Sequence, residues 1–426
     1  MKDYFYIFEK LFTVFSIIIY SGGFLSLIFS GGANEEDLSL IQAADYSALL
    51  LVYKMIYVVT LILLILRWKR VILVLKKDKL ISLVIVFAAA SVLWSFDPET
   101  TLIRSIALVG TSLFGLYFAT RYSLEDQLQN LSIAFGIVVF FSFISAILLP
   151  KYGVMSGIHA GAWRGIYIHK NVLGKMMALS ASIFLVGTTD NQYKMLSRLG
   201  LSLSIVLLIL SKSSSAIGTF VALFAIFLIL KIFRWHYKLM VPALLAILLI
   251  GMSGLFFLTE HMDMLLISAG KDPTLTGRTD LWIWALDDIG KRPWFGYGYG
   301  AFWQDFSSKA ALIRYAAGWH VPHAHNGLLD LLLDLGILGV FVLILGIFRT
   351  SIQSFFLLKN TTSTAYVWPL LFVSNMVLAN MTETTLMVRN DLFWVIFITI
   401  SFSVLSHPKA IRRAPVVNRC SSNCYT

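Results

Sequence analysis

Charge is what this chain has least of. Only 13% of its 426 residues are Asp, Glu, Lys or Arg, while 58% are hydrophobic. A soluble domain carries roughly twice that charged fraction. Cysteine is almost missing, with Cys420 and Cys424 the whole supply. Two thiols do not complete a structural zinc site, so residues 407–426 read as a reduced cytoplasmic tail. The first apolar run, Leu11 to Phe29, lacks a convincing small-x-small cleavage site; Ser30-Gly31-Gly32-Ala33 is the nearest approximation. It reads as a retained helix. No internal repeat is evident. Asp287-Asp288 lacks the Asp-x-Asp spacing of metal-dependent sugar transfer. Gly296-Tyr297-Gly298-Tyr299-Gly300 opens no βαβ unit, so it is a turning element and not a dinucleotide fingerprint.

Apolar sequence is abundant. The mean hydropathy is +0.80, and a membrane helix needs about 20 mostly apolar residues. Such runs fall near 11–30, 47–66, 80–95, 102–120, 131–149, 171–188, 198–211, 214–232, 239–258, 326–348, 365–380 and 391–406. The fold class predicted is all-α, a polytopic bundle of about twelve spans with one long outer loop containing short helices. Its parts are an N-terminal bundle (1–258), the loop (259–322), C-terminal helices (323–406) and the tail (407–426).

The net charge of +11 does not imply nucleic acid, because the basic residues lie in short connections and not on one phosphate-facing surface. Their placement sets orientation. Arg67, Lys69, Arg70, Lys76, Lys77 and Lys79 crowd one connection, and Arg121, Lys194, Arg198, Lys231, Arg234, Lys238 and Arg349 mark others on the same side. Asn34-Glu35-Glu36-Asp37 and Asp97-Pro98-Glu99 fall on the opposite side. Both termini are therefore expected in the cytoplasm, and 151–170, 259–322 and 381–389 face outward.

These outer segments hold the candidate chemistry. Arg164 and Lys170 precede a helix whose N-terminus favours anions, a setting for phosphate or for lipid headgroups. Arg278 stands at the cap of an amphipathic helix beginning near Leu281, with Arg292 and Arg314 further along the loop. His325, in Pro322-His323-Ala324-His325-Asn326-Gly327, is positioned to take a proton from a hydroxyl or simply to start a helix. His320, His323 and His325 form a rival metal grouping without the i, i+4 pairing of helical zinc sites. Asp330 and Asp334 lie one turn apart just inside a span, where charge is costly and often functional, and would orient His325 or an Arg. Glu383 and Arg389 flank the last outer loop. Trp282, Trp294, Tyr297, Tyr299 and Trp303 suit either sugar faces or the membrane interface.

His325-Asn326, nine residues, Gly336, two residues, Gly339 resembles the signature of the O-antigen ligase and polymerase superfamily. Gly277-Arg278 with Trp282 resembles its Arg-bearing loop helix, and Arg164 through Gly174 resembles its other Arg segment. The resemblance implies a GT-C-like membrane glycosyltransferase in the bacterial inner membrane, with its active site periplasmic. It implies an undecaprenyl-diphosphate-linked glycan as donor and a glycan or lipid A core as acceptor, with membrane lipids and other polysaccharide assembly proteins as partners. No cofactor and no metal are implied. By the same resemblance His325 is the general base, and Arg164, Arg278 and Lys170 hold the diphosphate. Asn326, Asp334, Glu383 and Arg389 support them. Polymerase and ligase both remain open, as does a transporter of lipid-linked sugar.

Overall fold

The computed structural model describes residues 2–23, 47–189, 194–233, 278–304, 310–317, 321–361 and 363–406. Among them the regular structure is helical, with a single isolated bridge pairing Val154 and Trp163. The helices are α1 (Lys2–Tyr20), α2 (Ser47–Leu66), α3 (Trp68–Leu75), α4 (Lys79–Ala90), α5 (Pro98–Arg121), α6 (Leu124–Leu148), α7 (Pro150–Gly153) and α8 (Lys170–Gly187). They continue as α9 (Lys194–Leu210), α10 (Ser214–Ile232), α11 (Arg278–Lys291), α12 (Ala311–Ala317), α13 (Gly327–Asn360), α14 (Trp368–Asn380) and α15 (Leu392–Ser406).

Ten of the twelve expected spans coincide with helices; the first is displaced, α1 running Lys2–Tyr20 and not 11–30, and 24–30 lie outside the described residues, as do 239–258, the acidic stretch 34–37, His320 and the tail. Five of the described helices, α2, α5, α6, α10 and α13, are by themselves long and apolar enough to cross a membrane. Their outward faces carry exposed Leu51, Ile62, Phe140, Val221, Phe341 and Phe348, as expected where lipid replaces water.

Small and hydroxylated residues bring the inner helices close, as membrane packing requires. A Cβ on Gly115 of α5 would lie 2.7 Å from Ile398 of α15. Thr399 donates to the Gly115 carbonyl at 3.1 Å, and Trp394 Nε1 to Ser112 Oγ at 2.9 Å. Between α8 and α9, Ser180 and Ser204 bond at 2.8 Å. The tight link before α10 is a true turn, with Lys212 at φ 52°.

One end of the bundle collects charge as the basic connections predict. Buried Glu9 of α1 pairs with Arg67 at 2.5 Å and Arg121 at 2.9 Å, and Arg349 of α13 donates to the Lys77 carbonyl at 2.6 Å. The far end of the unbroken α5, at Pro98, is roughly 35 Å from Arg121 at 1.5 Å per residue, and there Phe96 N donates to the Tyr297 carbonyl at 2.9 Å.

Helix α13 is not the single straight span expected over 326–348. It runs to Asn360 and breaks at Gly336 (φ 64°, ψ −170°). The break strands backbone groups on both sides, which an apolar setting makes costly. The segment 293–298 supplies the partners. Tyr297 N and Gly298 N donate to the carbonyls of Leu333 (2.7 Å) and Asp334 (3.0 Å), while Ile337 N and Leu338 N donate to Pro293 (2.8 Å) and Trp294 (3.3 Å). Gly296, Gly298 and Gly300 all have positive φ, the conformation that turn needs.

Candidate active site

Three separate segments meet around the start of α13. Asn326 caps the helix, its side-chain oxygen accepting from Leu328 N at 3.0 Å and Leu329 N at 3.4 Å. This is ordinary N-capping, and it places His325 just outside the helix at φ 51°, a conformation uncommon for a residue with a side chain. His325 N donates to His323 Nδ1 at 3.1 Å, and the two rings lie 4.3 Å apart by centroid. Glu383, from the turn after α14, completes the group: one donor atom each from His323, His325 and Glu383 lie within 4.8 Å of one another. Among the described residues the third partner of His323 and His325 is a carboxylate some sixty positions onward; His320, grouped with them from sequence, lies outside those residues.

Asp330 holds this loop from below. Its Oδ1 accepts from Ala324 N at 2.9 Å and from Trp303 Nε1 at 2.7 Å, and Thr384 donates to its Oδ2. Thr384 Oγ1 also stands 3.4 Å from His323 Nδ1. Asp330 thus orients the backbone that carries the histidines. Asn380 does the same for the facing turn, accepting from Thr385 N at 3.1 Å and Leu386 N at 3.3 Å.

Asp334 takes the second of the two roles open to it, an arginine partner: it sits at the helix break in the field of Arg104 and Arg389, with its carboxyl accepting from the Gly300 backbone. Arg389 therefore belongs with the break, and Glu383 with the histidines. Both acids lie on the short first segment of α13, ahead of Gly336, and not deep within the span.

The loop helix α11 starts at Arg278, and one turn on Trp282 Nε1 donates to the Ala324 carbonyl at 3.0 Å. This contact fastens α11 to the residue before His325. Arg314 is buried and braces the same loop through Val321 O (3.0 Å) and Gln304 O. Arg292 stacks over Tyr297 at 5.2 Å. Of the aromatic residues read as possible sugar platforms, Trp282 and Trp303 are engaged as above. Tyr297 and Tyr299 are buried and donate to the carbonyls of Asp288 and Met387; Trp294 remains exposed.

Arg164 corrects a further expectation. Its guanidinium does not face outward: the residue is fully buried, donating to the carbonyls of Tyr152 (2.8 Å), Lys151 (3.1 Å) and Ile168 (3.3 Å). At least three of the five N–H groups an arginine has thus pin the loop ahead of α8, and burial lowers its pKa. At the end of that loop His169 caps α8, Nδ1 accepting from Asn171 N at 3.2 Å. Its pKa is pushed down to about 4, by burial first and then by the charges of His159, Lys170, Arg164 and His325. Burial opposes any charge there, while the smaller charge contribution records the basic groups around His169. It also places the Arg164–Lys170 segment within electrostatic reach of His325. His169 lay in the motif read from sequence without being singled out; its histidine-for-Asn capping carries no strong sequence signal.

A polar cleft continues from Glu383 between α8, α10 and α14, lined by Asn171, Lys175, Ser215, Thr219 and Asn375. Asn375 is buried, and its Nδ2 has no hydrogen-bond partner among the described residues.

Residues 199–344 match the family described as O-antigen ligase, a stretch that includes Arg278, His325, Gly336 and Gly339. A curated relative, the exopolysaccharide production protein ExoQ of Rhizobium meliloti (strain 1021), is 25% identical over 276 residues, 61% of each chain. The chain thus spans about three fifths of the length of the curated relative it matches.

Proposed function

We propose, from the premise that this chain belongs to the O-antigen ligase and polymerase superfamily, that it transfers glycan from undecaprenyl diphosphate to a sugar hydroxyl at the outer face of the bacterial inner membrane. The observation that carries this reading is the meeting of His325 with His323 and Glu383 at the start of α13. His325 takes the proton of the acceptor hydroxyl. The freed oxygen attacks the anomeric carbon, its bond to the diphosphate breaks, and the configuration inverts. The charge left on undecaprenyl diphosphate is the main electrostatic demand. Lys170 and Arg278 meet it directly, while Arg164 acts through its charge and the loop it pins. Neither step needs a metal. The end of the bundle holding the site is opposite the basic connections, which supports its periplasmic placement with both termini cytoplasmic.

Polymerisation of repeat units is the favoured reaction, since the relative named above is an exopolysaccharide production protein. Ligation to lipid A core is the second reading, supported by the family description. Purified protein given a lipid-linked repeat with and without EDTA should form polymer in both cases. Transport of unreacted repeat, or loss of polymer with EDTA, would overturn the proposal. Transfer only to lipid A core would select the ligase.

A further inference from the structure

We propose that His323, His325 and Glu383 form a site for a borderline-soft divalent cation, Zn²⁺ foremost, and that its occupation withdraws His325 from catalysis. The inference rests on His325 being the base. The three donor atoms lie within 4.8 Å of one another, and tetrahedral zinc with bonds of 2.0–2.1 Å sets its ligands about 3.3 Å apart. A side-chain adjustment of about 1.5 Å closes the difference. Two imidazoles and one carboxylate are a zinc ligand set, with a fourth position left for water. Mg²⁺ and Ca²⁺, which take oxygen ligands, have little use for it.

The surroundings supply the outer support that metal-bound histidines need. Thr384 Oγ1 lies 3.4 Å from His323 Nδ1 and donates in turn to Asp330. Capture still has a cost. His323 Nδ1 now accepts the His325 N–H at 3.1 Å. If Nδ1 binds the metal, that bond is lost. If Nε2 binds it, the ring proton moves to Nδ1 and the bond is lost again. The site is therefore one that zinc reorders, which points to micromolar and not structural affinity. An imidazole whose lone pair is on a metal cannot accept a hydroxyl proton, so binding and turnover exclude each other.

The test uses chelator-stripped full-length protein in lipid nanodiscs. Zn²⁺ titration should show one site per chain, Co²⁺ should give the absorption of a low-coordinate nitrogen–oxygen site, and zinc should lower polymer formation at least tenfold with the same midpoint. His323→Ala and the milder His323→Gln should each weaken binding at least tenfold and shift the inhibition midpoint equally. Absence of binding, or binding unchanged in both variants, overturns the proposal and leaves the base assignment intact. Zinc that binds without inhibiting overturns the exclusion. EDTA-abolished turnover restored by zinc would overturn this proposal and the metal-free reaction together.

Discussion

Gly336 lies against the backbone of Trp294 so closely that a Cβ there would stand 2.4 Å from its carbonyl carbon and oxygen. Two elements about forty residues apart are thereby joined: the segment that fills the helix break, and the helix that starts at the histidines. Gly336→Ala adds this clash to a positive φ that side chains avoid, a destabilisation of roughly 2–4 kcal/mol. Thermal unfolding in detergent should show a lowered midpoint, with polymer formation falling in parallel.

Asp330 is the next point of leverage. Asp330→Ala removes an acceptor shared by Ala324 N, Trp303 Nε1 and Thr384, leaving buried donors at a cost of about 1–3 kcal/mol each. Turnover should fall at least tenfold with little change in KM, because the group displaced is the base and not a binding contact. Asp330→Asn keeps one acceptor oxygen and should recover part of that loss; equal effects of the two variants would contradict the orienting role.

His325→Ala should abolish polymer formation while the protein remains in the membrane with an unchanged unfolding midpoint. Full activity in this variant would refute the base assignment.

The pinning of the 151–168 loop by Arg164 makes Arg164→Lys a strong substitution. An ammonium cannot reach three divergent carbonyls as the guanidinium fork does. Stability should drop by roughly 1–3 kcal/mol, and limited proteolysis should cut the loop ahead of α8 sooner than in wild type. An unchanged digestion pattern would separate the residue from that structural duty.

His169 gives a pH signature. Its pKa is about 4 in the folded protein and about 6.5 when unfolded. Between those values the unfolded chain binds more protons, so stability is full above pH 6.5 and declines as pH falls towards 4. The expected loss is on the order of 2 kcal/mol at pH 5. His169→Asn keeps a capping oxygen and should flatten this decline, which unfolding at pH 7 and pH 5 would measure.

Helix positions were legible because each rests on a local property, a run of apolar residues long enough to span lipid. The break at Gly336 was not, since hydrophobicity continues unbroken across it and the partner that makes it tolerable is a glycine-rich turn some forty residues earlier. His325 and Asn326 were readable because a helix start constrains the few residues before it. Glu383 appeared only as a candidate: nothing local tells a carboxylate which distant imidazole it will meet. Arg164 was readable as important but not as buried, for an arginine beside a helix mouth has the same sequence whether its fork faces lipid headgroups or its own backbone.

The repaired break also imposes an order on assembly. Residues 293–298 are synthesised before 333–338, yet their backbone groups find their partners only once the later stretch exists. Synthesis and insertion of α13 must therefore precede docking of the segment onto it, and until then the histidine turn has no fixed support. A nascent chain halted before Leu338 should leave 293–298 open to protease, and one released beyond Asn360 should protect it.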